Sequence, residues 1–333
     1  MDILTLFTIV ILFNVIFLLN FKNISKLLNI YDKPDGKLRK HHTPTPLLGG
    51  LILINLYFVS FFIYLLDLEY LIFKNNFIVI IISLSTIFYI IGLVDDLKNL
   101  NPNLKLFLIV ISVIFLINFF PDLNLKLIKI SFLDKIFYFN NYSLFFIILS
   151  FALLLNALNM FDGINLQLIL FSSFIFCLFI LKGFYPIFFI LLLFPMIVLA
   201  ILNYKNKVFL GDGGSYIISA IIGSTFIYQY KNFDNFFYGD EIFLILFVPA
   251  IDMLRLFITR LAQKKNPFKG DLNHLHHIVN NFTKDKNKTI FITLILCILP
   301  STFLIFNINT LLILLFNLMT YFSLILYLKY KNK

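Results

Sequence analysis

The fold of this chain is decided by the stretch NFIVIIISLSTIFYIIGL, residues 76–93, which is followed by VDDLK, residues 94–98. An uninterrupted apolar run of this length predicts a helix that crosses a lipid bilayer. Asp95 and Asp96 then lie at its C-terminal end, where the helix dipole disfavours carboxylates. Two neighbouring acids in that position call for a cation such as Mg²⁺, Lys or Arg. A solvated helix end is the alternative, and a single Asp would favour it.

The composition is that of a membrane protein. Of the 333 residues, 60% are hydrophobic and 13% are charged, and the mean hydropathy is +0.95. A soluble domain has about 25% charged residues. The net charge of +10 does not predict a nucleic-acid partner, because in a membrane chain the positions of the basic residues matter more than their sum. Cys177 and Cys297 lie inside apolar runs, so we expect buried thiols and no disulfide framework.

Eleven apolar runs are long enough to be membrane spans, which predicts an all-α polytopic membrane protein with one domain, 1–333. The first run lacks a basic start and a small-residue cleavage site, so it predicts a retained helix and not a signal peptide. Lys182 and Gly183 form the predicted turn between two neighbouring runs. The predicted spans are 3–21, 47–66, 76–93, 104–120, 142–158, 166–181, 184–203, 214–230, 242–260, 289–306 and 309–328.

The basic residues indicate how these spans are oriented. Most of the 27 Lys and Arg fall in alternate loops on one side of the predicted membrane. By the positive-inside rule that side is cytoplasmic, which places the N-terminus outside and the C-terminus inside. The external loop 123–141 alternates apolar and polar residues, and this pattern predicts a small β-hairpin with its strands on either side of Ser131 to Asp134.

Every unusual polar stretch falls on the predicted cytoplasmic side. The first is YDKPDGKLRKHHTPTP, residues 31–46, which is closed by Gly49 and Gly50. Its cations suit anionic lipid headgroups or a phosphate ligand. Ordinary positive-inside charge explains the lysines, whereas we assign a functional role to Arg39 and His42. For the paired glycines, close helix packing and a ligand site remain open alternatives.

The second stretch is the aspartate pair, continued by LNPNLK, residues 100–105. Lys105 falls in the first turn of the next predicted helix, where the helix dipole disfavours a cation. We therefore expect Lys105 to pair with the nearby acids or with a ligand phosphate.

The third stretch is NALNMFDGIN, residues 156–165, between two apolar runs. Asn156 and Asn159 are three residues apart and share a helix face. Polar groups at membrane depth usually line a site, although hydrogen bonding between helices would explain Asn156. That alternative is weaker for Asp162 and Gly163.

The fourth stretch is FLGDGGS, residues 209–215, which opens a helix. Gly213 and Gly214 would let backbone N–H groups approach a phosphate at the positive end of that helix. Asp212 is also a natural N-cap, which is the structural alternative. Because a cap needs no flanking glycines, we favour a functional role.

The fifth stretch begins with Asp252, Arg255 and Arg260 on a predicted helix and ends with NPFKGDLNHLHH, residues 266–277. Its three histidines suggest a metal cluster or a pyrophosphate site. Cysteine is absent and the histidine spacing alone is weak for zinc. Because the other polar stretches lie on the same face, we favour pyrophosphate contacts.

Together the five stretches resemble the polyprenyl-phosphate sugar-1-phosphate transferases, the superfamily that includes the bacterial phospho-N-acetylmuramoyl-pentapeptide transferase. The resemblance runs in order from Asp32 to His277, and the family's helix layout matches the predicted one. The segment with Pro267, Phe268 and the three histidines is most similar to the branch that uses UDP-N-acetylhexosamine. There are two departures: Asn165 stands where the family's third motif usually has a second Asp, and Leu47 stands where Arg is common.

The resemblance implies a Mg²⁺ site, with Mn²⁺ as the alternative ion, and an Asp pair that serves the lipid phosphate or the metal. It also implies that the last-loop histidines contact the sugar-nucleotide diphosphate. The expected residues are, for catalysis, Asp95, Asp96, Asp162 and Lys105; for substrate binding, Arg39, His42, Asn156, Asn159, Gly213, Gly214, Asp271, His274, His276 and His277; and for the metal, Asp212, Asp95 and Asp96.

The function implied by the resemblance is transfer of N-acetylhexosamine 1-phosphate from a UDP-sugar to undecaprenyl phosphate, with release of UMP. Such a step starts cell-surface polysaccharides such as O-antigen lipopolysaccharide, in the bacterial inner membrane with the site facing the cytoplasm. The alternatives are the muramoyl-pentapeptide transferase, an ion-coupled transporter and an inactive membrane scaffold. Acids clustered at one face disfavour the transporter, because the acids of a transporter lie near the bilayer midplane. The inactive scaffold remains an alternative because Asn165 replaces a usual carboxylate. A homodimer is one possible oligomeric state.

Overall fold

The computed structural model describes residues 3–32, 44–54, 76–233, 236–266, 271–306 and 308–331. Within these ranges the chain is mainly α-helical, as predicted, and α2 is described only over 49–54. The other helices are α1 Ile3–Leu28, α3 Asn76–Lys98, α4 Pro102–Phe119, α5 Ser143–Phe161, α6 Gln167–Leu181, α7 Pro186–Tyr204, α8 Gly211–Asn232, α9 Gly239–Ile245, α10 Phe247–Ala262, α11 Leu275–Thr283, α12 Lys286–Thr302 and α13 Thr310–Lys331. Short 3-10 helices span Pro121–Leu123, Asn140–Tyr142 and Phe303–Phe306.

Two small antiparallel strand pairs complete the described structure. β1 (Tyr31–Asp32) pairs with β2 (Thr45–Pro46), with Tyr31 opposite Pro46. β3 (Leu127–Ile130) pairs with β4 (Lys135–Tyr138), and the turn between them is closed by the Asp134 N–H on the Ser131 carbonyl at 3.2 Å. The predicted hairpin in the loop 123–141 is therefore confirmed.

Five of the described helices are long and apolar enough to cross a membrane: α3, α4, α7, α13 and α5 extended back to Asn140. A sixth span results if α9 and α10 are counted together. These two helices meet at a bend of 75°, within the predicted span 242–260. α6 is apolar but shorter, and α11 is an additional short helix outside the predicted spans.

The central packing unit of the molecule is the pair α3 and α8. Gly92 of α3 lies directly against the start of α8, because a Cβ atom at Gly92 would come within 2.6 Å of the Gly213 Cα atom. Farther along α8, Tyr216 and Ile217 are fully buried. The two helices therefore approach closely at the end of α3 that carries Asp95 and Asp96.

The β3–β4 hairpin lies at the other end of the helices. Asp240, at the start of α9, accepts hydrogen bonds from the Ser131 N–H at 2.8 Å and the Ser131 hydroxyl at 2.5 Å. The same hydroxyl lies 2.7 Å from the hydroxyl of Thr310, the first residue of α13. At that end, Asn76 at the start of α3 donates a hydrogen bond to Asp122. The hairpin and the aspartate pair therefore lie at opposite ends of α3.

Candidate active site

Lys105 joins two carboxylates from two different helices. Its Nζ atom lies 2.5 Å from Asp95 Oδ2 and 2.7 Å from Asp212 Oδ2. These contacts bring together the second and fourth polar stretches, which are far apart in the chain. They also confirm the prediction that Lys105, in the first turn of α4, pairs with nearby acids.

The short connection between α3 and α4 positions Lys105. The Leu100 N–H donates to Asp95 Oδ1 at 2.7 Å, which folds the chain back over the end of α3. α4 then begins with Pro102, and the Asn101 side chain caps it by accepting the Asn103 N–H at 3.0 Å. An Asn at the N-cap and a Pro at the first helical position both favour the start of a helix. The first turn of α4 is therefore fixed beside the two acids.

Asp96 binds the beginning of α8. Its carboxylate accepts the backbone N–H groups of Asp212 at 3.0 Å and Gly213 at 3.1 Å. The first N–H groups of a helix have no partner within the helix, and its positive end stabilises an anion. Asp212 itself lies in the first turn and Leu210 is the N-cap residue, so Asp212 is not the cap. In this structure the N–H of Gly213 bonds to Asp96, at the position predicted for phosphate.

The conformation of this helix start depends on one glycine. Gly211 has φ +73°, a left-handed conformation that residues with a side chain rarely adopt. A Cβ atom at Gly211 would also lie 2.7 Å from Asp96 Oδ2. The Phe209 carbonyl just before it accepts the Gly49 N–H at 3.1 Å, which joins the end of the first stretch to the fourth.

The carboxylates have the right chemistry for Mg²⁺, which prefers oxygen ligands. Asp95 and Asp212 contact Lys105, and Asp96 lies beside them on the N–H groups of Asp212 and Gly213. However, no group of three or more His, Cys, Asp or Glu side chains in the described part of the chain is arranged as a metal site. The Lys105 ammonium lies between the two closest acids. The donor set thus fits the ion, whereas the present positions of the side chains do not form a closed metal site.

Asp162 and Asn159 extend the same polar region from the end of α5. Loss of solvent raises the pKa of Asp162 well above its usual value, and the negative charges of Asp212 and Asp96 raise it further. Asn159 donates to the Ser215 hydroxyl at 3.0 Å, so α5 is joined to α8 beside Asp212. Asn156 donates to the Ala152 carbonyl of its own helix at 2.7 Å, which agrees with a structural role.

Asn165 has a structural role in the adjoining loop. Its Nδ2 atom donates to the Asn203 carbonyl at 2.7 Å and to the Asn206 Oδ1 atom at 2.7 Å. Asn203 in turn accepts the Leu166 N–H at 2.7 Å, at the residue before α6. The amide at 165 therefore fastens the start of α6 to the end of α7.

The three histidines lie together beside the third stretch. The rings of His274 and His276 stack with a centroid distance of 5.4 Å, and those of His276 and His277 are 4.2 Å apart. Gly163 packs against the His276 ring so closely that a Cβ atom would overlap it. Burial lowers the pKa of His276 well below its usual value, and its two histidine neighbours lower it further, so its ring is neutral near pH 7.

Two carboxylates, the buried Asp252 and the partly exposed Asp271, hold the histidine segment on α10. Asp252 accepts hydrogen bonds from Arg255 at 2.7 Å and from the Tyr321 hydroxyl at 2.6 Å. Arg260 donates to Asp271 at 2.9 Å. Although burial acts to raise the pKa of Asp271, this hydrogen bond holds it below its usual value. Asp271, predicted to bind substrate, is thus engaged within the protein.

The sequence analysis did not identify Tyr321 as part of this network. Tyr321 is 69 residues from Asp252, and nothing in its neighbouring sequence indicates the contact. Asp252 did have a signal, because an acid inside an apolar helix three residues before Arg255 is unusual. Two predicted substrate-binding residues, Arg39 and His42, and the pair Pro267 and Phe268 lie outside the described residues.

These features define a multi-pass membrane protein with a site of carboxylates, one lysine and imidazoles at one end of its helices. Comparison with known sequences agrees, because the model of glycosyl transferase family 4 matches residues 78–230. The chain is also 28% identical over 264 residues to an undecaprenyl-phosphate alpha-N-acetylglucosaminyl 1-phosphate transferase from Thermotoga maritima, an alignment that covers 76% of this chain and 74% of that protein.

A protein of the same name from Salmonella typhi is 30% identical over 84 residues, which is 25% of this chain and 23% of the relative. Both comparisons support the resemblance of this chain to the polyprenyl-phosphate sugar-1-phosphate transferases. They likewise support an enzyme of the glycosyl-1-phosphate transferase class.

Proposed function

We propose that this enzyme transfers N-acetylglucosamine 1-phosphate from UDP-N-acetylglucosamine to undecaprenyl phosphate and releases UMP. The product would be the lipid-linked first sugar of a cell-surface polysaccharide, such as O-antigen lipopolysaccharide or a cell-wall polymer. The observation that carries the proposal is the contact of Lys105 with Asp95 and Asp212, which lies in the region that matches the family model.

The chemistry asks the protein to bring two anions together. A lipid phosphate oxygen attacks the sugar-bearing phosphorus of the UDP-sugar, a new P–O bond forms, and the bond to the bridging oxygen breaks so that UMP leaves. A phosphate monoester has a second pKa of about 6, so near neutral pH the nucleophile needs little proton abstraction. The side chains therefore act mainly by positioning and by charge compensation.

Individual residues have distinct roles in this scheme. Lys105 provides positive charge for the phosphates, and Asp95 and Asp212 orient its ammonium group. Asp96 fixes the start of α8, whose N–H groups it binds. The neighbouring histidines contact the diphosphate, and Arg39 and His42 from the first stretch contribute further substrate contacts.

Mg²⁺, with Mn²⁺ as the alternative, is the proposed cofactor, and Asp212, Asp95 and Asp96 would hold it. When bound, the ion neutralises charge on the diphosphate. The excess of carboxylates over lysine in the cluster supports this assignment.

The finer topology is also part of the proposal. Eleven spans would place the N-terminus outside, the C-terminus in the cytoplasm and the site at the cytoplasmic face of the bacterial inner membrane. The distribution of Lys and Arg supports this orientation. A homodimer is the proposed assembly to test by size measurement in detergent.

The test uses the purified full-length protein in detergent with undecaprenyl phosphate and Mg²⁺. Separate reactions contain UDP-N-acetylglucosamine, UDP-N-acetylgalactosamine or UDP-N-acetylmuramoyl-pentapeptide, and UMP and the lipid product are both measured. We expect both products from UDP-N-acetylglucosamine, none without the lipid, and loss of both in EDTA with recovery on adding Mg²⁺.

Each other result has a defined meaning. A preference for the pentapeptide donor would assign the chain to the muramoyl-pentapeptide transferases. No UMP from any donor, with a folded protein, would contradict the enzymatic proposal and favour a scaffold. Activity that persists in EDTA would overturn the metal assignment alone.

A further inference from the structure

Asp252 is the centre of a buried hydrogen-bond network that joins three parts of the chain. Only 6% of its surface is exposed. Besides Arg255 and Tyr321, its carboxylate meets His274 Nδ1 at 3.1 Å and the Leu275 N–H at 3.1 Å. One side chain thus ties α10 and α13 to the beginning of α11.

The chemistry of this contact decides the form of the His274 ring. An ionised carboxylate only accepts hydrogen bonds, and here it already accepts three others. The Nδ1 atom of His274 must therefore carry the proton that it shares with Asp252. In the neutral ring Nε2 is then left with its lone pair, and in the charged ring Nε2–H is the second donor.

The orientation of the His274 ring affects the site because this ring packs on His276, which contacts Gly163. His274 and His276 are nearly parallel, with an interplanar angle of 7°. The far side of the stack contacts Gly163, next to Asp162. His276 Nε2 is buried and has no hydrogen-bond partner among the described residues. The stack is therefore located by Asp252 at one end and by the loop after α5 at the other.

We propose that Asp252 is a positioning residue that fixes His274 with a proton on Nδ1 and so holds the cluster of three histidines against the loop of Asp162 and Gly163. Arg255 and Tyr321 keep the carboxylate in place by donating to its Oδ1 atom. The consequence for diphosphate binding rests on the proposed function, whereas the state of the His274 ring does not.

The kinetic test compares Asp252→Asn with Asp240→Asn. Both acids are buried, at 6% and 4% exposure, but Asp240 binds the hairpin at the opposite end. The amide at 252 offers an N–H₂ group that competes with the Nδ1 proton. We expect kcat/KM for UDP-N-acetylglucosamine to fall about 10- to 100-fold, by analogy with removal of the hydrogen-bond partner of a metal-ligating histidine. The KM for that donor should rise while the KM for undecaprenyl phosphate stays unchanged.

The second test needs no activity. The chain has five histidines, so ¹⁵N-histidine labelling and NMR in detergent can resolve His274, which the His274→Gln variant assigns by loss of its signal. In the natural protein we expect Nδ1 to be protonated. In Asp252→Asn we expect the proton to move to Nε2, and in Asp240→Asn we expect no change.

The two tests separate the inference from the proposed function. An unprotonated Nδ1 in the natural protein would by itself overturn the inference. This result does not depend on whether the Asp252→Asn variant folds. Unchanged donor KM in a folded Asp252→Asn protein, or an equal change in Asp240→Asn, would also overturn it. Absence of transferase activity in the natural protein would reject the proposed function and leave the NMR result to decide the role of Asp252.

Discussion

At the scale of single residues, the charge balance of the site depends on Lys105. Its ammonium group is the cation that contacts both Asp95 and Asp212, and these side chains are 12% and 30% exposed. Removing it would leave two poorly solvated carboxylates close together without a counter-ion, which costs free energy. The same removal would take a positive charge away from the phosphates.

We expect Lys105→Gln to lower transferase activity about 100-fold, as loss of a charge-stabilising donor typically does. The free energy of unfolding should fall by about 1–3 kcal/mol, less than for a fully buried ion pair because water reaches these side chains. Initial rates of UMP release and chemical denaturation measure the two effects. Lys98→Gln, which removes an exposed charge from the end of α3, is the control and should change neither.

Asn165 gives a second residue-scale prediction, because it departs from the family's usual Asp. Its amide donates to two oxygens, the Asn203 carbonyl and Asn206 Oδ1. In Asn165→Asp both contacts would become repulsive, so we expect a loss of about 1–3 kcal/mol of stability and no gain in activity. Thermal unfolding and initial rates check this, with the exposed Asn103→Asp as a stability control. Higher activity in Asn165→Asp would instead support a lost catalytic carboxylate.

The sequence alone was sufficient to indicate most of the acidic cluster. Asp95, Asp96, Asp212 and Lys105 each lie at the end of an apolar run, where an ionised side chain next to the membrane needs a partner. The partner itself could not be read from the chain, because the Lys105–Asp212 contact joins residues 107 apart. The Asp252–Tyr321 contact was hidden for the same reason, since only helix packing brings these side chains together.

At the scale of elements, the helix ends agree with the predictions where local chemistry decides them. Lys182 is the C-cap residue of α6 and Gly183 adopts φ +80°, so the predicted turn is confirmed. The predicted span 242–260 is divided into α9 and α10 by a bend of 75°. Pro249 lacks the N–H that would bond to the carbonyl of Ile245, and α9 ends at Ile245. Hydropathy averaged over a window does not detect the missing backbone N–H of a proline. It also does not detect α11, which is too polar to be a span.

The contact between α3 and α8 makes an element-scale prediction about Gly92. A methyl group there would meet the backbone of Asp212 and Gly213 at 2.6 Å, and backbone atoms at a helix crossing cannot rotate away. We expect Gly92→Ala to separate the helix ends, to lower the free energy of unfolding by about 1–3 kcal/mol and to reduce activity more than tenfold. Thermal unfolding with and without ligand and initial rates measure these effects.

Gly223→Ala is the matched control on α8. The nearest atoms to its Cβ position belong to the ends of the Phe151 and Leu154 side chains, at 2.9 and 3.0 Å. Side-chain ends can move by a few tenths of an ångström, so this variant should retain activity. Equal loss of activity in the two alanine variants would show that close approach at Gly92 has no special role.

At the scale of the whole molecule, the described elements separate two ends. One end holds the start of α8, the end of α3 and the histidine segment, whereas the other holds the β3–β4 hairpin bound to Asp240. If the helices cross the bilayer, these ends face different compartments. Because most Lys and Arg of the described segments belong to the site end, the positive-inside rule predicts that the hairpin is external.

Site-directed labelling tests this orientation in intact bacterial cells. The background carries Cys177→Ala and Cys297→Ala, which removes both native thiols. We then expect Lys135→Cys, exposed in the hairpin, to react with a membrane-impermeant maleimide added outside. Gln263→Cys, exposed just after α10 and close to the site, should react only after the inner membrane is permeabilised.

The pattern of labelling distinguishes an error of orientation from an error of architecture. Reaction of Gln263→Cys alone in intact cells would mean that the two ends are correctly separated but inverted in the membrane. A site open to the outside would have no access to a cytoplasmic nucleotide sugar, so the proposed donor would be wrong as well. Reaction of both cysteines from the same side would contradict the two-ended arrangement itself, since the hairpin and the aspartate pair lie at opposite ends of α3.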